Sequence, residues 1–444
     1  IGNKADVLCN DLIQHWGDDP AVKVILLYLE SFGNPRNFMR IASEVSRKKP
    51  IVAVKSGRTA AGARAASSHT GSLAGMEVAV DALIGQVGVI RTDTIEELFD
   101  AAMLLANQPV PKGDRVAILT NAGGPGIMAT DACESRGLTV AELAPDTVAQ
   151  LRAFLPPEAS LRNPVDMIAS ATPASYERAL RCILDDPGVD AVIVLFVPPV
   201  GTEAAEVAAA IQRGGANAPK PVLTCFMGMH GVPAALSSLR QGRFPSYAFP
   251  EAAGIALARA VRYGQWLARG PGVRPALEGI DVAAAQRALA ESGVADGWLP
   301  PHTVRALLAA YGLETPATAM ATTADEAAAS AAQVGFPVAV KLASKTLTHK
   351  TDVGGVALGV KDAAGVRAAF DAMRAALDAK GLGDAMQGVV VQPMVPPGVE
   401  LFVGVTRTPD FGPLVGFGIG GVQVELWKDV VFRVHPLTDL DAAD

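Results

Sequence analysis

Cysteine is scarce, with four residues in 444, at positions 9, 133, 182 and 225. They form no Cys-x-x-Cys pair, and no histidine stands at metal-ligand spacing beside any of them. That excludes a cysteine-built metal site and favours a reduced, cytoplasmic setting. Basic excess is also missing. Against 45 Asp and Glu stand 38 Lys and Arg, for a net charge of −7, with no basic stripe of the kind phosphate neutralisation along a nucleic acid requires. Apolar runs such as Ala191 to Val200 stay far below the roughly 20 residues of a bilayer span, and no charged segment precedes an apolar one at the start. Neither nucleic acid nor a membrane is an expected partner. An initiator methionine is absent too: the chain opens on Ile1 and stops after Thr438-Asp-Leu-Asp-Ala-Ala-Asp, the expectation for a piece of something longer.

What is present is a rhythm. Short β-branched runs alternate with Ala-rich helical stretches, the pattern of parallel sheets covered by helices on both faces. Val24 to Leu29, Ile51 to Lys55, Val116 to Thr120, Ala191 to Phe196 and Val222 to Thr224 read as buried strands. Asn107-Gln-Pro-Val-Pro-Lys-Gly-Asp breaks a helical pattern with two prolines and a glycine, and a second break runs from Arg269 to Gly279. The predicted domains are therefore 1–108, 112–272 and 280–444. The first two share an α/β texture. The third has helices from Val282 to Ala295 and His302 to Tyr311, longer strands, and an antiparallel alternation from Phe411 to Phe432, so it reads as α+β.

Three segments carry chemistry. In Ser67-Ser-His-Thr-Gly-Ser-Leu-Ala-Gly75, a helix starting near Gly71 or Ser72 would aim free N–H groups and a positive dipole end towards His69, an arrangement that holds a phosphoryl group. A capped loop histidine fits the same residues. Val116 to Asp131 reads strand, glycine turn, helix, and Gly123, Gly124 and Gly126 could leave amides free for an anion; close helix packing is the plainer alternative. The third segment sets Lys341 in an apolar strand, which calls for an anionic partner, followed by His349-Lys-Thr-Asp-Val-Gly354-Gly355-Val, whose paired glycines suit phosphate contact or a simple hairpin. Val389 to Met394 then leads into a loop ending at Glu400. Gly416-Phe-Gly418-Ile-Gly-Gly421 satisfies GxGxxG, but the residues after it read as strand, so a dinucleotide site is rejected there.

These motifs, in this order, resemble the NDP-forming (ADP-forming) acyl-CoA synthetases, relatives of succinyl-CoA synthetase. Leu27-Tyr-Leu-Glu30, the His69 segment, Asn121 to Gly126 and Asn163-Pro-Val-Asp166 resemble two succinyl-CoA-synthetase-like domains, and Lys341, the His349 segment and Phe411 to Glu425 resemble an ATP-grasp domain. The resemblance implies two flavodoxin-like, doubly wound domains followed by an α+β ATP-grasp domain. It implies His69 as the residue that becomes phosphohistidine and Glu30 as the carboxylate that orients it, with Gly71, Ser72, Gly123, Gly124 and Gly126 around the phosphoryl group. It also implies His349 as a second, relaying histidine, Lys341, Gly354 and Gly355 at ATP phosphates, Gln392 and Met394 near the base, and Glu400 near the ribose.

The activity implied is acyl-CoA formation from a carboxylic acid, CoA and ATP, with ADP released, Mg²⁺ as cofactor, and a homo-oligomer or a dependence on a CoA-binding domain. That domain would precede Ile1, and the acidic and Asn-containing motif completing the Mg²⁺ site would follow Asp444; the metal ligands stay unassigned, with Glu425 one candidate. The rival readings are a ligase-like module of a protein lysine acetyltransferase and a sensor of CoA esters or nucleotide. Retention of His69 favours the ligase.

Overall fold

The computed structural model describes residues 6–57, 77–228, 232–344, 346–347, 350–421 and 430–444. Contacts divide the chain into two compact units, Ile1–Arg274 together with Leu401–Asp444, and Pro275–Glu400.

The first unit begins with three parallel strands in the order β1 (Ile25–Leu29), β2 (Ile51–Lys55), β3 (Ile90–Thr92). Every residue of β2 is buried, as expected for a strand with helices on both faces. Helix Pro35–Val45 starts where the sequence tells it to: Pro35 lies in its first turn and the Asn34 side chain accepts from the Asn37 N–H. Its Phe38, Ile41, Ala42 and Val45 then fall on one buried stripe.

The second region adds β4 (Arg115–Thr120), β5 (Thr139–Val140), β6 (Val165–Asp166), β7 (Ala191–Phe196), β8 (Val222–Phe226) and β9 (Ser246–Tyr247). Their order is β5-β4-β7-β8-β9, with β6 also on β4. All pairings between them are parallel. This is the doubly wound order 2-1-3-4-5 of flavodoxin-like sheets.

The last three strands of that sheet repeat the plan of β1-β2-β3. The Ile25 N–H donates to Pro50 O at 3.0 Å as Val192 does to Pro221 O at 3.0 Å, and Ser56 donates to Leu29 O at 2.9 Å as Met227 does to Phe196 O at 2.9 Å. One apolar core joins the two regions, with Val52, Val54, Leu98 and Leu104 packed together with Ile118, Ile193, Leu223 and Tyr247. Their junction is tight at Gly88, whose φ is +70° and where any Cβ would enter the indole of Trp266. That indole stacks on Tyr263 and lies under the Arg47 guanidinium, 4.4 Å from the ring centre.

The second unit contains β10 (Ala319–Ala321), β11 (Val338–Ala343), β12 (Val356–Val360) and β13 (Gly388–Pro393) in an antiparallel sheet ordered β10-β13-β11-β12. Helices Ala324–Val334 and Ala363–Ala379 contribute Ala327, Ala331, Val366, Phe370, Met373 and Leu377 to a core shared with Val338, Val340, Leu342, Val389 and Val391. The α+β character expected of this stretch is present.

The chain then returns to the first unit as β14 (Leu401–Thr408), β15 (Gly412–Ile419) and β16 (Val430–Val434), again antiparallel. The block 280–444 expected as one domain is thus shared between the two units by contact. The reason is visible in packing: Phe411, Leu414 and Val434 enter the core of the first region. The Gln86 side chain also pairs with Val434 in both directions, accepting from its N–H at 2.7 Å and donating to its carbonyl at 3.1 Å. Gly416 and Gly418 lie within β15, a strand, and the residues from 422 to 429 lie outside the described residues.

Candidate active site

Parallel sheets present their ligand sites at the carboxyl ends of the strands. At that edge of the first region, β1 and β2 run in register with Leu29 opposite Lys55, so Glu30 leaves β1 beside the end of β2. Glu30 is exposed and, among the described residues, has no hydrogen-bond partner, which leaves its carboxylate available. Past Ser56 and Gly57, the latter at φ +74°, the chain runs towards the segment with His69, Gly71 and Ser72, all of which lie outside the described residues. It re-enters at helix Glu77–Gln86, where Glu77 and Asp81 both pair with Arg91 of β3.

Lys55 was not singled out in the sequence, yet it is only 4% exposed. Its ammonium donates to Ser56 O at 2.5 Å. Burial pushes its pKa down, Glu77 and Glu30 oppose that shift, and Arg91 adds to it. The signal that could have found it is the one used for Lys341, a lysine at the end of an otherwise apolar strand.

The equivalent edge of the second region is organised around β4. Asn121, buried, accepts from Val197 N–H at 2.9 Å and donates to Val197 O at 2.8 Å, tying the ends of β4 and β7 together. Helix Gly123–Glu134 follows, and no side chain caps it, because its N-cap is Ala122. Gly123 and Gly124 are exposed there, and Gly124 has no atom within 4 Å of where a Cβ would stand. An uncapped, exposed N-terminus with a positive dipole end is competent to bind an anion. Gly126 differs: it is buried, and a Cβ would lie 3.2 Å from Thr120 Cγ2 and 3.4 Å from Pro164 Cβ, so close packing accounts for it. Asp166 sits against the same helix start, its Oδ2 3.3 Å from a Cβ at Gly123 and its Oδ1 accepting from Ile168 N–H at 2.9 Å.

In the second unit, Lys341 occupies the middle of β11 between Val390 and Val356. It is half-buried rather than buried, and no described residue pairs with it. Gln392 lies diagonal to it on β13, opposite Ala339, and Met394 follows, with its N–H on Pro337 O at 2.9 Å. Glu400 is exposed in the loop beyond. His349 lies outside the described residues. Gly354 (φ +72°) and Gly355 spend their N–H groups inside the turn, on Thr351 O at 3.1 Å and Lys350 O at 2.7 Å. A Cβ on Gly355 would meet Leu342 Cβ and Lys350 O, each at 2.9 Å. What these glycines supply directly is a compact hairpin between β11 and β12.

A half-buried lysine with no partner among the described residues, diagonal to a glutamine on the neighbouring strand, fits a nucleotide's phosphates and base. A magnesium ion is less well served: among the described residues no three acidic, histidine or cysteine side chains converge. Nor is any described helix long and apolar enough to cross a membrane.

The comparisons with known proteins agree with this layout. Residues 1–105 match the succinyl-CoA ligase-like flavodoxin domain, 116–272 the ligase-CoA domain, and 288–444 the ATP-grasp domain. The chain is 38% identical, over its whole length, to the ADP-forming acetate–CoA ligase I of Archaeoglobus fulgidus. It is 32% identical, again over its whole length, to the ADP-forming 4-hydroxybutyrate–CoA ligase of Nitrosopumilus maritimus. It spans 63% and 64% of the length of these two relatives. Among solved structures, the dinucleotide-forming acetyl-coenzyme A synthetase 1 of Ca. Korarchaeum cryptofilum, in complex with phosphate and ADP, matches with a TM-score of 0.57 at 34% identity, over 61% of this chain and 60% of that one. With a succinyl-CoA ligase-like flavodoxin domain, a ligase-CoA domain and an ATP-grasp domain matched in turn, the chain is similar along its full length to the ADP-forming CoA ligases.

Proposed function

We propose that the protein makes acyl-CoA from a carboxylic acid, CoA and ATP by way of phosphohistidine. In this reading, a ring nitrogen of His349 attacks the γ-phosphorus of ATP, the bond to the β-phosphate oxygen breaks and ADP leaves, and one ring nitrogen of His69 then takes the phosphoryl group from His349. The other ring nitrogen donates its proton to Glu30, which fixes the tautomer and stabilises the charge that develops. The carboxylate of the acid then takes the phosphoryl group, giving an acyl phosphate and free histidine, and CoA thiolate displaces inorganic phosphate.

The observation that carries this reading is Glu30: a carboxylate without a partner among the described residues, standing at the carboxyl edge of β1 beside the strand that leads to His69. The uncapped start of helix Gly123–Glu134 supports it, since Gly123 and Gly124 offer exposed amides to a phosphoryl group and Gly126 lets the helix pack closely behind them; Gly71 and Ser72 are assigned to the same phosphoryl group on the resemblance alone. Lys341, Gln392, Met394 and Glu400 hold the nucleotide in the second unit, on a hairpin shaped by Gly354 and Gly355, and His349 receives the phosphoryl group there before His69 does. CoA arrives on a CoA-binding domain of the same polypeptide or of a partner subunit, and the reaction belongs in the cytoplasm, where ATP and CoA are made and used.

Radiolabelled γ-phosphate of ATP should be left on the intact protein in acid-labile form, and ADP release should depend on both CoA and one member of a panel of carboxylic acids. Undiminished label in a His69→Ala, His349→Ala double variant would rule the scheme out.

A further inference from the structure

Lys55 is expensive where it stands. An ammonium has three donors, and at 4% exposure it makes one hydrogen bond, to the carbonyl of the next residue, and no ion pair with any described side chain. Packing does not demand a lysine there. The matching position in the second region, the last residue of the five-residue strand β8, is Phe226, equally buried and part of an apolar core. The fold therefore fills that volume with a hydrocarbon when nothing else is required of it.

The surrounding charges narrow what is required. Arg91, from β3, is taken by Glu77 and Asp81 of helix Glu77–Gln86. Glu30, after β1, has no such partner among the described residues and is coupled electrostatically to Lys55 across the edge of two paired strands. A carboxylate placed to hold an imidazole also repels a phosphoryl dianion arriving on that imidazole. Helix N-termini supply only fractional positive charge, so a full cation beside Glu30 meets the remaining need.

We propose that Lys55 is a positioning residue for the phosphohistidine step, a buried cation that offsets the charge of Glu30 when the phosphoryl group arrives on His69. This rests on the phosphohistidine reading given above.

The test supplies radiolabelled ATP to the intact wild-type protein and to Lys55→Met and Lys55→Arg variants, following acid-labile phosphoenzyme against time. With methionine, phosphoenzyme formation should slow by about tenfold or more, while the ATP concentration for half-maximal rate stays within about twofold, because the nucleotide contacts lie on other elements. Arginine should restore most of the rate. Wild-type rates in Lys55→Met, or a loss that arginine does not relieve, would each overturn the assignment. Absence of label on the wild-type protein would instead remove the phosphohistidine reading itself. If Lys55→Met does not fold, Lys55→Gln, polar but uncharged, decides the same comparison.

Discussion

Strands β1-β2-β3 and β7-β8-β9 follow one backbone plan and end in different chemistry. The pairings place Leu29 beside Lys55 and Phe196 beside Phe226, so the residue after each first strand is Glu30 in one case and Val197 in the other. The ends of the third strands are Thr92 and Tyr247. In the second region these positions close the core or anchor the backbone, Val197 through its double hydrogen bond with Asn121. Strands β7, β8 and β9 thus end without charge. Glu30 and Lys55 are consequently additions to the scaffold, and the charges they bring are there for something the scaffold does not need.

The largest expected effect separates the two edges by function. Glu30→Gln keeps the shape and removes the charge, and the rate of ADP release should fall by about 10² to 10⁴, the usual weight of a positioned acid–base partner. Val197→Ala should leave the rate within about threefold if stability is allowed for. Equal rates for the two variants would erase the functional contrast.

Stability should show the reverse order. Phe226→Ala removes a buried ring and should cost about 3–5 kcal/mol in denaturant unfolding. Lys55→Met, replacing an ammonium by a thioether of similar length, should be neutral or stabilising by up to about 2 kcal/mol. A large destabilisation by Lys55→Met would make the lysine structural.

A smaller effect lies on the helices that follow the two sheets. Eight residues past the strand end, helix Ile95–Asn107 carries Asp100 where helix Pro250–Ala268 carries Ile255. Burial, then Glu96 and Glu97, pushes the Asp100 carboxyl up to about 6 from 3.8. A raised acid binds its proton more tightly in the folded state, so its contribution to stability is complete below the unfolded value and is lost as pH rises through about 6. Asp100 is only partly buried, so the expected loss is about 1 kcal/mol. Asp100→Asn should flatten stability between pH 4 and 6 and raise it at neutral pH; an unchanged slope would show that Asp100 is not the group responsible.

Much of this was legible because parallel strands covered on both faces must be apolar throughout: β2, β4, β7 and β8 stand where the apolar runs are, whereas β1, expected to be buried, leaves Leu26 and Tyr28 of one face exposed. Strand β6 was not legible, since its two residues are held in place from outside. The Asn163 side chain accepts from Ile118 N–H and donates to the carbonyls of Val116 and Ala141, contacts 22 to 47 residues away. Nor could the sequence assign β14, β15 and β16 to the first unit, because the Gln86–Val434 pairing spans 348 residues and has no local trace. For the site, the family resemblance marked Glu30, and the glycines after β4 marked the uncapped helix start. The burial of Lys55, the half-exposure of Lys341 and the use of the Gly354 and Gly355 amides inside a turn depend on neighbours that only the fold supplies.

Gly88 carries a consequence for how such a chain can change over generations. Its positive φ and the Trp266 indole behind it leave no room for even a methyl group. Trp266 in turn supports Arg47 and Tyr263, so enlarging residue 88 would have to be matched by a smaller ring and a rearranged cation at once. Substitution at this junction therefore has no single-step path. While the strand ends are free to exchange charge for hydrocarbon, as the two sheets have done, position 88 is one at which drift is blocked in both partners together.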